Sequence, residues 1–193
     1  MSTHFVTYTQ LIPLMTSPSP SNPESILRTT TTARSPISQQ VAIKRIDKKM
    51  MDQIVHEVQV MHKLDSPHCM KFHDWYETRN NLWLILEYCT GADLHSLVRQ
   101  DGHLPEESVR MFGLDILAGV RYLHGLGMLH CDLRPCNFLV DEYGILKMSD
   151  FKCTRKLPQA PVGDIPLEAR GAVEYLAPEL LSASGVHSFA SDL

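Results

Sequence analysis

An α+β fold is what this sequence predicts, with strands gathered early in the chain and helices late rather than in regular alternation. Three observations carry the prediction. Gln40-Val41-Ala42-Ile43-Lys44-Arg45-Ile46 alternates apolar and polar side chains, the period of a half-buried strand. Two further strand-like runs, 70–76 and 82–88, flank the polar turn Thr78-Arg79-Asn80-Asn81 and read as a hairpin. Val109, Phe112, Ile116, Val120 and Leu123 then recur at helical spacing over several turns.

The first 40 residues differ from all that follows. They hold twenty Ser, Thr or Pro residues, and Glu24, Arg28 and Arg34 are their only charges. Such a segment cannot bury enough apolar surface to offset the entropy of ordering it, so disorder is expected over 1–40. A mitochondrial targeting peptide is the alternative, because acids are scarce and serine is common. The globular part, 41–193, opens on the 40–46 strand. Met51, Ile54, Val55, Val58, Met61 and Leu64 then form the apolar stripe of an amphipathic helix. After the hairpin, Gly91 precedes a short helix over 93–99. Pro105 opens the long helix, Glu106 and Glu107 complement the positive end of its dipole, and Gly125 and Gly127 stop it. Two short apolar pieces, 137–140 and 145–148, turn at Glu142-Tyr143-Gly144.

Composition narrows the function. Hydrophobic content of 44% and charged content of 21% are those of a globular protein. A formal net charge of −4 argues against nucleic acid as a partner. No apolar run is long enough to span a bilayer, which argues against a membrane partner. Cys69, Cys89, Cys131, Cys136 and Cys153 make no C-x-x-C pair, so reduced thiols in the cytoplasm are expected rather than a metal or disulfide framework. Ten histidines likewise make no paired ligand pattern.

Phosphoryl transfer needs a clamp on nucleotide phosphates, cations to neutralise charge, and a carboxylate to orient the attacking hydroxyl. The chain offers a candidate for each. Val41-Ala42-Ile43-Lys44 is a strand whose lysine suits the α- and β-phosphates, and Glu57, thirteen residues later on a helix, is placed to hold it. His130-Cys131-Asp132-Leu133-Arg134-Pro135-Cys136-Asn137 supplies an aspartate for the hydroxyl proton and, five residues on, an asparagine for magnesium. Asp150-Phe151-Lys152 follows thirteen residues after Asn137 and adds a second metal-binding oxygen donor. Ala177-Pro178-Glu179 closes the segment behind it.

These motifs, in this order, resemble those of a protein kinase domain. With His73-Asp74-Trp75-Tyr76-Glu77-Thr78, Leu82-Trp83-Leu84-Ile85-Leu86-Glu87-Tyr88-Cys89 and Ser184-Gly185-Val186-His187-Ser188, the likeness is to the unc-51-like/Fused group. It covers 41–193, and implies a bilobal kinase-like fold with 41–89 in the N-lobe and 90–193 in the C-lobe. It implies ATP and Mg2+ as cofactors and serine or threonine hydroxyls of a protein substrate as acceptor, since Arg134 stands where serine/threonine kinases carry lysine. By the same resemblance Asp132, Arg134 and Asn137 are catalytic, and Asn137 and Asp150 bind metal. Lys44, Glu57, Glu87, Cys89 and Leu139 bind the nucleotide. Leu86 is the gatekeeper, and Met61, Phe72, His130 and Phe151 stack as a hydrophobic spine. Cytoskeletal partners and a cytoplasmic, cytoskeleton-associated location are implied for this branch.

The sequence also departs from that pattern. No glycine occurs before Gly91, so the glycine-rich loop over the phosphates is missing, and nothing matches the late C-lobe helices. The fold is therefore expected to be incomplete, with Asp192, which begins the central C-lobe helix in the family, left without a helix to anchor. Lys152 replaces the glycine after Asp150-Phe151, Cys131 the catalytic-loop arginine, and Ala172 a threonine that bonds near the catalytic aspartate. Between Asp150 and Glu179 the only hydroxyl side chains are Thr154 and Tyr175. Two functions follow from the sequence: a serine/threonine kinase, or a pseudokinase that binds partners without transferring phosphate.

Overall fold

The computed structural model describes residues 5–9, 40–48, 51–157, 173–181 and 187–193, with 5–9 and 51–53 described by backbone alone. The remainder of 1–40, Ala172 and Ser184-Gly185-Val186 lie outside the described residues. The chain forms two compact units, one of 1–51 with 72–88 and one of 52–71 with 89–193.

The smaller unit is one antiparallel sheet. Its strands are β1 (Phe5–Thr9), β2 (Gln40–Asp47), β3 (Phe72–Glu77) and β4 (Asn81–Glu87), in the spatial order β1-β2-β4-β3. The Leu82-Trp83-Leu84-Ile85-Leu86 run makes β4 an inner strand, and Leu82, Leu84, Ile85 and Leu86 are all buried. The turn between β3 and β4 closes where polar residues predicted it. Thr78 N–H donates to Asn81 O, and Thr78 Oγ1 accepts from both Asn81 N–H and Trp83 Nε1–H. An ion pair between Lys48 and Glu77 joins the end of β2 to the end of β3 beside that turn.

β1 corrects one expectation. Phe5–Thr9 pairs antiparallel with β2, from Phe5 opposite Lys44 to Thr9 opposite Gln40, although disorder was expected throughout 1–40. Phe-Val-Thr-Tyr-Thr is rich in β-branched and aromatic residues. Averaging over a Ser/Thr/Pro-rich segment hid that short run.

The larger unit takes in most of the first helix, α1 (Met51–Met61), which the sequence boundary near residue 89 had grouped with the strands. Its buried stripe differs from the apolar one read from sequence. Ile54, Glu57, Val60 and Met61 are buried, whereas Val55 is 43% exposed. An acid thus occupies the core-facing register.

α2 (Leu94–Asp101) starts just after Asp93, whose carboxylate accepts from Ser96 N–H and Ser96 Oγ–H at 2.9 and 2.6 Å, an N-cap. Gly91 is required nearby, because a Cβ there would sit 2.7 Å from that of Val140. α3 (Glu106–Gly125) has Pro105 as N-cap and buries Gly119, Val120 and Leu123. Val109, expected on the buried face, is 54% exposed; among the described residues the buried positions of this helix all lie in its second half.

Short ladders complete the unit: β5 (Met128–Leu129) with β8 (Arg155–Lys156), and β6 (Phe138–Val140) with β7 (Leu146–Met148). Gly144, at φ 81°, turns β6 into β7. The β6–β7 hairpin packs on α3, with Leu146 N–H donating to Asp115 Oδ2 at 2.9 Å. The mixed helix and strand content is that of an α+β fold.

Candidate active site

The segment 128–156 doubles back on itself so that both predicted catalytic motifs share one neighbourhood. β5 leads into His130, which is fully buried; β8, which pairs with β5, leads out of the turn that contains Asp150. Between them lie Asp132 and Asn137, 5% and 4% exposed.

Asp132 is held from several sides. Asn137 Nδ2 donates to the Asp132 carbonyl at 2.8 Å and to its Oδ2 at 3.0 Å. Arg134 Nε stands 3.3 Å from Oδ1. Asp132 N–H donates to His130 Nδ1 at 3.3 Å, and His130 Nε2 lies 3.1 Å from the Ser149 carbonyl. Those partners require the neutral tautomer with the proton on Nε2. Burial agrees, holding the His130 imidazole below the usual histidine range against the opposing pull of Asp192. The His130 and Phe151 rings meet edge-on at 5.5 Å, so this half of the expected spine is in contact.

Asn137 is fixed by its backbone as well as its side chain. Its N–H donates to Arg134 O, closing a 3₁₀ turn started by Pro135. Its carbonyl accepts Ser149 N–H at 2.8 Å and Ser149 Oγ–H at 2.9 Å. The Asn137 loop is thereby tied to the residue just before Asp150.

Asp150 adopts the left-handed region, φ 61° and ψ 63°, uncommon for a residue with a side chain. Cys131 does the same at φ 63°. Lys152, in the position expected to be glycine, turns back so that its Nζ lies 2.6 Å from Asp150 Oδ2. Burial works against that ammonium, but the hydrogen bond and charge of Asp150 hold it above the ordinary lysine range. The carboxylate of Asp150 and the amide oxygen of Asn137 are hard oxygen donors of the kind magnesium takes. The donor set therefore fits that metal, with Lys152 sharing one oxygen.

Asp192 is not idle. From a 3₁₀ turn, Phe189–Asp192, its carboxylate accepts His130 N–H at 2.8 Å and Cys131 N–H at 2.9 Å, and lies 3.0 Å from His124 Nε2. Expected to be left without a helix to anchor, it holds the catalytic-loop backbone. Cys131, where the family carries arginine, is buried against this carboxylate, and burial first and Asp192 second push its thiol pKa up.

The nucleotide-side residues divide between the units. In the smaller one, Lys44 sits mid-strand in β2 opposite Leu84, Glu87 ends β4 opposite Val41, and Leu86 is buried. In the larger one, Glu57 is buried on α1, and the chain just past Cys89 is stitched to β6. There Gly91 N–H donates to Val140 O, Val140 N–H donates to Ala92 O, and Asp93 bridges Leu139, the other nucleotide-side candidate. A cavity of about 450 Å³ opens beside Asp132, lined also by Leu133, Glu174, Tyr175 and Leu176.

Residues 29–193 match the family profile "Protein kinase domain". The chain belongs to the protein kinase family. The kinase domain is 44% identical over 153 residues to the serine/threonine-protein kinase RUNKEL of Arabidopsis thaliana, covering 79% of this chain and 11% of that protein. It is 43% identical over 117 residues to the serine/threonine-protein kinase ULK4 of Mus musculus, covering 61% and 9%. CBL-interacting protein kinase 9 of Oryza sativa subsp. japonica is 31% identical over 159 residues, covering 79% and 35%. The chain thus spans about a tenth of the length of the first two relatives and about a third of the third. The likeness to the unc-51-like group read from sequence agrees with the first two. Ser149 and His124, which position the loop, escaped the sequence reading; Ser149 carried the one usable signal, a small polar residue directly before Asp150.

Proposed function

We propose that this kinase domain transfers the γ-phosphoryl group of ATP to serine or threonine hydroxyls of a protein. One observation carries the proposal most: a buried aspartate, Asp132, hydrogen-bonded by Asn137, with the Arg134 guanidinium 3.3 Å away, at the wall of a cavity. In this reading Asp132 orients the acceptor hydroxyl and takes its proton, and Arg134 offsets charge developing on the transferred group. Lys44 and Glu57 serve the nucleotide, the lysine through the α- and β-phosphates. The backbone at Glu87 and Cys89 receives the adenine, and Leu139 packs against it. Asn137 and Asp150 would hold magnesium, which supplies neutralisation of phosphate charge.

The second reading, a binding module without phosphate transfer, draws support from Lys152 lying on Asp150 and from the absence of any glycine before Gly91. Phosphate transfer from labelled ATP to a basic protein substrate separates the two. The kinase reading expects Asp132→Asn to lose at least about 100-fold in rate, as removal of a positioned acid–base group does. Transfer unchanged by Asp132→Asn overturns it. Lys44→Ala should weaken ATP binding in titration calorimetry, and unchanged affinity removes that lysine from the site. We further infer cytoskeletal partners, a reading that rests on the likeness to the unc-51-like group alone, and no nucleic-acid partner, supported by the net charge of −4; among the described residues no helix is long and apolar enough to cross a membrane. Cosedimentation with polymerised microtubules tests the cytoskeletal part, and failure to pellet at any tubulin concentration rejects it.

A further inference from the structure

Asp150 sits in a strained backbone state, and the turn that follows it is tied down at identifiable points. Upstream, both donors of Ser149 engage the Asn137 carbonyl. Downstream, β8 pairs with β5. Between them Thr154 closes the 3₁₀ turn Phe151–Cys153 by donating its N–H to Phe151 O, and its side chain is buried. The Thr154 carbonyl is met from a different element altogether. His56 of α1, 98 positions away in sequence, places Nε2 2.5 Å from it. Because a carbonyl only accepts, Nε2 carries the proton. His56 is the immediate neighbour of Glu57, so one helix turn presents the buried acid on one side and this donor on the other.

We propose that His56 is a positioning residue: its hydrogen bond to the Thr154 carbonyl locks the Asp150 turn to α1 and so holds Asp150 in the left-handed backbone state from which its carboxylate would bind magnesium. A residue at positive φ keeps that state only where its surroundings over-determine it, and Lys152 contributes a side-chain tie where the family pattern has glycine. His56 adds the restraint that comes from outside the loop. Helix α1 and the Asp150 turn therefore shift together rather than separately. The magnesium part of this inference rests on the kinase reading above; the mechanical part does not.

The test uses the full chain and three substitutions. His56→Phe keeps the ring volume without a donor, His56→Gln keeps a donor, and Gln59→Ala is a control on the exposed side of the same helix. Hydrogen exchange of the amides at 151–156 should speed up about 3- to 10-fold in His56→Phe, the range for loss of one hydrogen bond, with partial recovery in His56→Gln and no change in Gln59→Ala. Affinity for ATP should fall in His56→Phe when magnesium is present and stay level when it is chelated, a split that simple loss of stability does not produce. Unchanged exchange at 151–156 in His56→Phe overturns the proposal. If the wild-type chain binds no ATP, the kinase reading fails, and the exchange comparison still decides whether His56 positions the turn.

Discussion

His130 shows how one side chain joins stability to pH. Folded, it is buried and neutral, with its pKa below the ordinary value of 6.5. Unfolded, it titrates near that value, so between the two the unfolded chain binds more protons and stability rises with pH. The native state should therefore lose stability as pH falls below about 6.5, until the folded value is passed. Urea unfolding at pH 7.5 and 5.5 checks this: the difference should shrink in His130→Phe, and an equal difference in both proteins contradicts it. Asn137 invites a second measurement. Asn137→Ala removes the amide that donates to both the carbonyl and the carboxylate of Asp132, and leaving that buried carboxylate one partner short costs about 1–3 kcal/mol. A shift of the urea midpoint with unchanged slope is the expected form. Thiol reactivity gives a third. Burial pushes the pKa of Cys69 up to about 11 and raises those of Cys131 and Cys153, whereas Cys136 is exposed. Mass-spectrometric labelling with iodoacetamide at pH 7 should modify Cys136 first and Cys131 last. Early loss of Cys131 would show that the loop opens readily.

At the scale of elements, the helices were read well for existence and less well for facing. Periodicity located α1 and α3, but it assumed that every apolar residue faces inward, and Val55 and Val109 do not. Nor can apolar periodicity find Glu57, because a buried acid is invisible to a pattern that counts only hydrophobes. The two-residue strands β5 and β8 are below the length at which alternation has meaning, and Phe5–Thr9 was diluted by its neighbours. The catalytic motifs were legible because their chemistry fixes residue type and spacing together; the Asp192 and Ser149 supports were not, since hydrogen bonds to backbone leave no local signature. α3 also yields a prediction. Met111, Leu114 and Leu117 recur every three residues and are each more than half exposed. An apolar stripe of that kind promotes association, so sedimentation of the chain should shift toward monomer in Leu117→Glu. Identical sedimentation of wild type and variant would mean that this face stays solvated.

On the scale of the whole chain, the two units are built by different means. The larger one is laced by side-chain bonds that span long stretches of sequence, such as Lys147 Nζ to Pro67 O and Tyr122 OH accepting from Asp65 N–H. The smaller one depends on ladder hydrogen bonds of a single sheet, and there connectivity matters. β3 and β4 are joined by a turn of a few residues, while β1 reaches β2 only across residues 10–39. Closing a connection of roughly thirty residues costs about 3 kcal/mol of chain entropy, and β2 meets a similar cost in reaching β4 across 48–80, so what sets β1 apart is its place at the sheet edge, paired with β2 alone. The order of assembly follows: the β3–β4 hairpin forms on the microsecond scale, β2 adds to it, and β1 arrives last and leaves first. A brief protease pulse during refolding should therefore find the first ten residues still cleavable after the remainder of the sheet has become resistant, which makes the amino-terminal strand a clock for the final step of folding.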